Sequence, residues 1–84
     1  MKTFEPFIDL VHYLDDRAML EDLLISITTP SERLALSQRL EIVKRLLRKE
    51  PHAKIAKELR VGVATVTRGS KELTAGKFKA LRSK

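Results

Sequence analysis

The chain has 84 residues, with 17 Lys or Arg against 11 Asp or Glu, for a formal net charge of +6. That length supports one small core and excludes multi-domain enzymes and large cofactor folds. Cysteine is absent, which excludes disulfides, thiolate metal sites and cysteine nucleophiles. No apolar run approaches the ~20 residues needed to span a bilayer. The first residues carry acids and a proline, so no secretory leader is expected and a cytoplasmic location is.

Charge is unevenly placed. Residues 1–38 hold three bases and seven acids, whereas residues 39–84 hold fourteen bases and four acids. A strongly basic half suits a polyanionic partner, with nucleic acid ahead of an acidic membrane.

The apolar spacing is helical throughout, and neither period-2 alternation nor a hairpin turn is present, so the expected class is all-α. Pro6 suits a first helical turn, followed by Phe7, Leu10, Val11 and Leu14 at 3–4 spacing. Asp15 and Asp16 interrupt this stripe and read as solvated acids at a break. Leu20, Leu23, Leu24 and Ile27 form a second stripe.

Thr29-Pro30-Ser31-Glu32 reads as a capping box with proline at the first helical position. The helix it opens is expected to run to about Lys49, with Leu36, Leu40, Val43 and Leu47 on its apolar face. Pro51 breaks it. Two short helices follow, about His52–Leu59 and about Val63–Leu73. The basic tail from Thr74 to Lys84 contains Gly76 and is expected to hold one helical turn, with Phe78 and Leu81 turned inward. The whole chain, 1–84, is read as a single domain.

Residues 54–70, KIAKELRVGVATVTRGS, fit a helix-turn-helix spanning about 52–73. Ala56 is the small residue that lets the second helix cross closely. Ile55, Leu59, Val61 and Val66 seal the corner. The second helix begins with short side chains, as an end that enters a major groove must. Gly62, Val63, Ala64 and Thr67 form that groove-facing set, and Thr65 is counted with it. Lys54, Lys57, Arg60 and Lys71 flank it and can neutralise phosphates. Arg60 stands where the motif's turn usually has glycine; a left-handed backbone there costs about 1 kcal/mol. The alternative reading of this stretch is a plain helical hairpin in a bundle.

At Arg39-Leu40-Glu41-Ile42-Val43-Lys44-Arg45-Leu46-Leu47-Arg48, and again at Val63-Ala64-Thr65-Val66-Thr67-Arg68-Gly69-Ser70, the sequence resembles the Trp repressor family. The Thr29-Pro30-Ser31-Glu32-Arg33 turn matches in the right order, and the resemblance extends from Leu20 to Leu73. Its most specific part is ATVTRGS, because a bulky apolar residue normally stands where Gly69 does in a generic helix-turn-helix.

The resemblance implies an intertwined helical homodimer whose two heads reach successive major grooves of operator DNA. It also implies L-tryptophan as corepressor. Arg39 and Arg68 would sandwich the indole, and Arg68 and Thr29 would hold the carboxylate. Backbone carbonyls near Ser26 and Thr28 would receive the ammonium, and Gly69 would leave room beside the ring. The chemistry is sound by itself, since a guanidinium stacks on an aromatic face and also grips a carboxylate.

The sequence departs from the family in three places. Glu72 stands where a small hydroxyl residue is usual, so a carboxylate either pairs with the ligand's ammonium or redirects ligand choice. The linker before the first motif helix is about one residue shorter and contains Pro51. The tail after Leu73 is short and basic.

No catalytic or metal constellation is legible. His12 and His52 are far apart, and no phosphate loop or nucleophile motif occurs. Phe4, Phe7, Tyr13 and Phe78 are too sparse for a stacking platform and read as core. The expected function is a tryptophan-activated transcriptional repressor. The alternatives are a ligand-independent DNA-binding regulator of the same fold and an all-helical protein-interaction module.

Overall fold

The computed structural model describes residues 2–82. Among them there is no strand. A single 3-10 turn (Lys2–Phe4) leads into α1 (Glu5–Tyr13), α2 (Arg17–Ile27), α3 (Pro30–Leu47), α4 (His52–Leu59), α5 (Val63–Thr74) and α6 (Lys79–Arg82). Ser83 and Lys84, the end of the basic tail, lie outside the described residues. The chain divides into two compact units, Met1–Arg33 and Leu34–Lys84.

In the first unit, each break has an identifiable chemistry. Leu14 turns extended after α1 while its N–H still reaches Leu10 O at 3.1 Å. Asp16 is more than a solvated acid. Its backbone is extended (φ −105°, ψ 120°) and its Oδ1 accepts the Ala18 N–H at 2.9 Å, which makes it the N-cap of α2.

The capping box forms as read. Glu32 N–H donates to Thr29 Oγ1 at 3.2 Å, and Thr29 N–H donates to Glu32 Oε1 at 2.8 Å. Arg33 then closes the far end of α2. Its Nη1 donates to Ile25 O at 3.1 Å and Thr28 O at 2.8 Å, placing a cation on the free carbonyls of a helix C-terminus.

Neither α1 nor α2 contains a buried residue. Phe4 and Phe7 stack with centroids 5.4 Å apart, but Phe4 is 53 % exposed and Tyr13 is 83 % exposed. The expectation that these rings pack into a core therefore fails for Phe4 and Tyr13. The spacing marks an apolar face correctly, but on α1 and just after it Phe7, Val11 and Leu14 are only half-buried.

The second unit holds the core. Ile42, Ile55, Ala56 and Val66 are buried together, with Leu46, Leu59 and Val61 packed against them. Ile55 and Val66 are fully enclosed, and burying each such side chain contributes about 1.5–3 kcal/mol relative to exposure. The α3 stripe is only partly used, because Val43 is buried while Leu36 and Leu40 stay open.

Three consecutive helices end in the same hydrogen-bond pattern, each turning on a left-handed residue. After α3, Lys49 (φ 65°) donates to Leu46 O at 2.9 Å and Glu50 to Arg45 O at 3.1 Å. After α4, Arg60 (φ 57°) donates to Lys57 O at 3.4 Å and Val61 to Ala56 O at 3.0 Å. After α5, Gly76 (φ 95°) donates to Leu73 O at 3.0 Å and Lys77 to Glu72 O at 3.1 Å. Only the third uses glycine. Arg60 thus takes the left-handed conformation whose cost was weighed for it. The α3 helix stops two residues before the expected end because Lys49 takes the same conformation.

Candidate functional site

The α4–α5 pair is built on its buried seam. Ile55 and Ala56 face inward from α4, and Val66 and Leu73 from α5. That leaves Lys54, Lys57 and Arg60 exposed on and after α4, and Gly62, Val63, Ala64, Thr65 and Lys71 exposed along α5; Thr67 is half-buried. Gly62 provides no side-chain cap for α5 at the end where the short side chains cluster, while its carbonyl accepts from Thr65 N–H at 3.0 Å.

Among the described residues, Lys54, Lys57, Arg60 and Lys71 take no part in the observed ion pairs. Those pairs engage Arg45, Arg48 and Lys77 instead. Four exposed cations outside the observed ion pairs, on and after α4 and in the last turn of α5, suit phosphate contacts.

A hub not anticipated from the sequence braces this pair from behind. Arg45 of α3 pairs with Glu41 at 3.1 Å, with Glu50 at 3.7 Å and with Glu58 of α4. The hydrogen bonds that Arg45 donates to Glu58 and Glu41 raise its pKa above the usual value. The Arg45 hydrogen bond holds the Glu41 carboxyl below its own. Glu41 and Arg45 lie one turn apart, so that pair was legible; Glu58 is thirteen residues on and was not.

The second feature is a pocket of about 680 Å³ between α3 and α5, within the 300–1,000 Å³ range of small-molecule sites. From α3 come Arg39 with Leu36 and Leu40; from α5 come Arg68, Gly69, Glu72 and Thr65. Four of the residues expected around a ligand are thus brought together. Thr65, expected with the DNA set, lines this pocket as well.

Phe78 from the tail also lines the pocket. The inward turn of Phe78 was foreseen, but no periodic signal showed which surface it meets, because Gly76 reverses the chain just before it. Gly69 has a second role beside making room. A β-carbon there would lie 3.3 Å from Ile42 Cγ2 and 3.5 Å from Leu46 Cδ1, so its absence also sets how closely α5 approaches α3.

Glu72 is the one acid in this set. Lys77 Nζ lies 2.8 Å from its Oε2. The Lys77 hydrogen bond, reinforced by the charges of Arg68 and Arg39, holds the Glu72 carboxyl below its usual pKa. Both arginines thus act on one carboxylate, yet neither takes part in an observed ion pair among the described residues.

Ser26, Thr28 and Thr29 belong to the first unit. There Thr28 Oγ1 donates to Leu24 O, Thr28 O accepts from Arg33, and Thr29 is engaged in the capping box.

With this geometry in place, comparison with known proteins is decisive. The family pattern for the Trp repressor protein matches residues 2–81. The chain belongs to the Trp repressor family. It is similar to a Trp operon repressor homolog of Vibrio vulnificus (strain YJ016), 41 % identical over 71 residues that cover 83 % of this chain and 70 % of that protein. A Trp operon repressor homolog of Vibrio cholerae is 42 % identical over 71 residues, covering 83 % and 69 % of the two chains. One of Mannheimia succiniciproducens is 38 % identical over 74 residues, covering 87 % and 73 %. Membership makes this Trp repressor family chain a DNA-binding transcription regulator and not an enzyme. No helix among the described residues is long and apolar enough to cross a membrane.

Proposed function

We propose that the protein is a tryptophan-activated repressor, acting in the cytoplasm as an intertwined homodimer on operator DNA of tryptophan biosynthesis or transport genes. The observation that carries this reading is the pair of guanidiniums, Arg39 on α3 and Arg68 on α5, lining one pocket beside Gly69 and outside the observed ion pairs. A flat ring stacks between two such planes, and its carboxylate completes a charge-assisted pair with Arg68.

A ligand held this way ties the groove-reading helix to α3. Its binding free energy then goes into fixing the two heads of a dimer at one helical turn of DNA, ~34 Å, so tryptophan raises operator affinity by linkage. The open apolar faces of α1 and α2 support the dimer, since a short chain with no buried residue in either helix gains its core from a second copy.

Titration calorimetry of the full chain with L-tryptophan tests the proposal. Binding is expected, with Arg39→Ala and Arg68→Ala each weakening it tenfold or more, on the order expected for a hydrogen-bonded charge or a stacked cation. An absence of heat at millimolar tryptophan would overturn the ligand. Glu72, already paired with Lys77, favours a second reading in which the protein binds its operator without a ligand. Equal operator affinity with and without tryptophan would establish that reading.

A further inference from the structure

Phe78 stands apart in the pocket between α3 and α5. Among the described residues, every other one that lines the pocket belongs to those two helices, and none of them carries an aromatic ring. The Phe78 backbone is left-handed, with φ 63°. Glycine or asparagine enters that region readily, whereas a bulky side chain there is a steric outlier. Such a residue persists only where its surroundings over-determine it.

The surroundings do so here. The peptide before Phe78 is held through Lys77 O, which accepts from Arg82 Nε at 3.2 Å. The peptide after it is held through Phe78 O, which accepts from Leu81 N–H at 3.1 Å and from Arg82 N–H at 3.4 Å. Arg82 Nη2 also donates to Leu73 O, and Lys77 N–H donates to Glu72 O at 3.1 Å, so the tail is tied to the end of α5. With both flanking peptides fixed, the direction in which the ring leaves the backbone is fixed too. All of these residues lie in the second compact unit.

We propose that Phe78 is a specificity-determining residue, a fixed aromatic wall that closes the pocket on its tail side and limits the size of the ring admitted. This rests on the reading of the pocket as a site for an aromatic amino acid. Two guanidinium planes accept any flat ring and discriminate little by its outline. A phenyl wall does discriminate, because one extra carbon pressed against it costs tenfold or more in affinity. The ring is half-buried, so part of its surface remains for a bound ring to meet edge-to-face or offset.

The test titrates the full chain with L-tryptophan and with the four L-tryptophans that carry one methyl group on the benzo ring. The wild-type chain should reject at least one of them relative to tryptophan. Phe78→Gly removes the wall and also relieves the left-handed backbone. It should weaken tryptophan about three- to tenfold, the loss of an aromatic pair, and should recover a rejected analogue by roughly tenfold or more relative to tryptophan. Phe78→Leu should give an intermediate ratio, and it decides if the glycine variant fails to fold. A residue that only packs the tail would change Tm and leave the order of affinities as it was. Discrimination that is unchanged in the variants, or absent from the wild-type chain, would overturn the wall while leaving the pocket reading intact. No binding of tryptophan by the wild-type chain would overturn both.

Discussion

The missing β-carbon of Gly69 would stand 3.3 Å from Ile42 Cγ2, so α5 approaches α3 at a distance that only glycine permits without displacement. Ile42 is 2 % exposed and has little room to yield. Gly69→Leu should therefore overpack the core at a cost of about 1–3 kcal/mol. It should also fill the pocket beside Arg68. Thermal unfolding followed by circular dichroism should show a lowered Tm, and tryptophan calorimetry should show lost binding. An unchanged Tm would mean that α5 can shift away from α3.

Arg60 makes opposite demands on stability and on DNA. Its φ of 57° is a conformation that an L residue enters at a cost of about 1 kcal/mol. Arg60→Gly should stabilise the chain by at most roughly 0.5 kcal/mol, the strain relieved less the extra backbone entropy. It should also weaken binding to duplex DNA, because an exposed cation outside the observed ion pairs is removed. Denaturant melts and gel-shift titrations, run together, would read the two signs.

Lys57 should contribute to DNA affinity without contributing to sequence choice. Lys57→Ala is expected to weaken binding to all duplexes alike and to reduce the slope of log K against log salt by ~1. A base-specific loss would place this side chain in the groove instead of on the backbone.

The lowered carboxyls of Glu41 and Glu72 set the acid limb of stability. Each gains its principal partner in the fold, Arg45 and Lys77 respectively, so its folded pKa lies below its unfolded value. The unfolded chain then binds more protons at acidic pH. The stabilisation is fully present above the ordinary glutamate value of about 4.3 and is lost as pH falls through the lower folded values. Tm should be flat from neutral pH to about 5 and should drop below it. Glu41→Gln should show a shallower drop, and 1 M salt should shrink the effect for these partly exposed pairs.

Arg45 ties α4 to α3 through Glu58 while also holding Glu41. Arg45→Met keeps the aliphatic stem and removes the ties. It should lower Tm most at low salt and should weaken operator binding by freeing the angle of the head. DNA affinity unchanged at low salt would show that the buried seam alone orients α4.

Local chemistry was legible because its partners lie within a few residues. The Thr29–Glu32 capping box, the Pro51 break, the buried corner of Ile55, Ala56 and Val66, and the left-handed Arg60 all follow from spacing and side-chain type. That Arg39, Arg68, Gly69 and Glu72 line one pocket was legible only through the family resemblance carried by the ATVTRGS run and the long helix before it. Asp16 is the exposed acid at a helix break that the sequence announced, but its capping of α2 was not legible, because that role depends on an extended backbone that a pair of acids does not announce.

The amino-acid order alone determined which segments are helical and where most of them begin or break, which faces are apolar and which half is basic, since these depend on near-neighbour sterics and charge. Tertiary folding decided the rest. It showed that Leu36, Leu40, Phe4 and Tyr13 remain uncovered, that Glu58 reaches Arg45, and that the tail returns Phe78 to the pocket with Lys77 on Glu72. Those outcomes depend on how separate helices approach one another, and no periodicity within a helix encodes the distance between two of them.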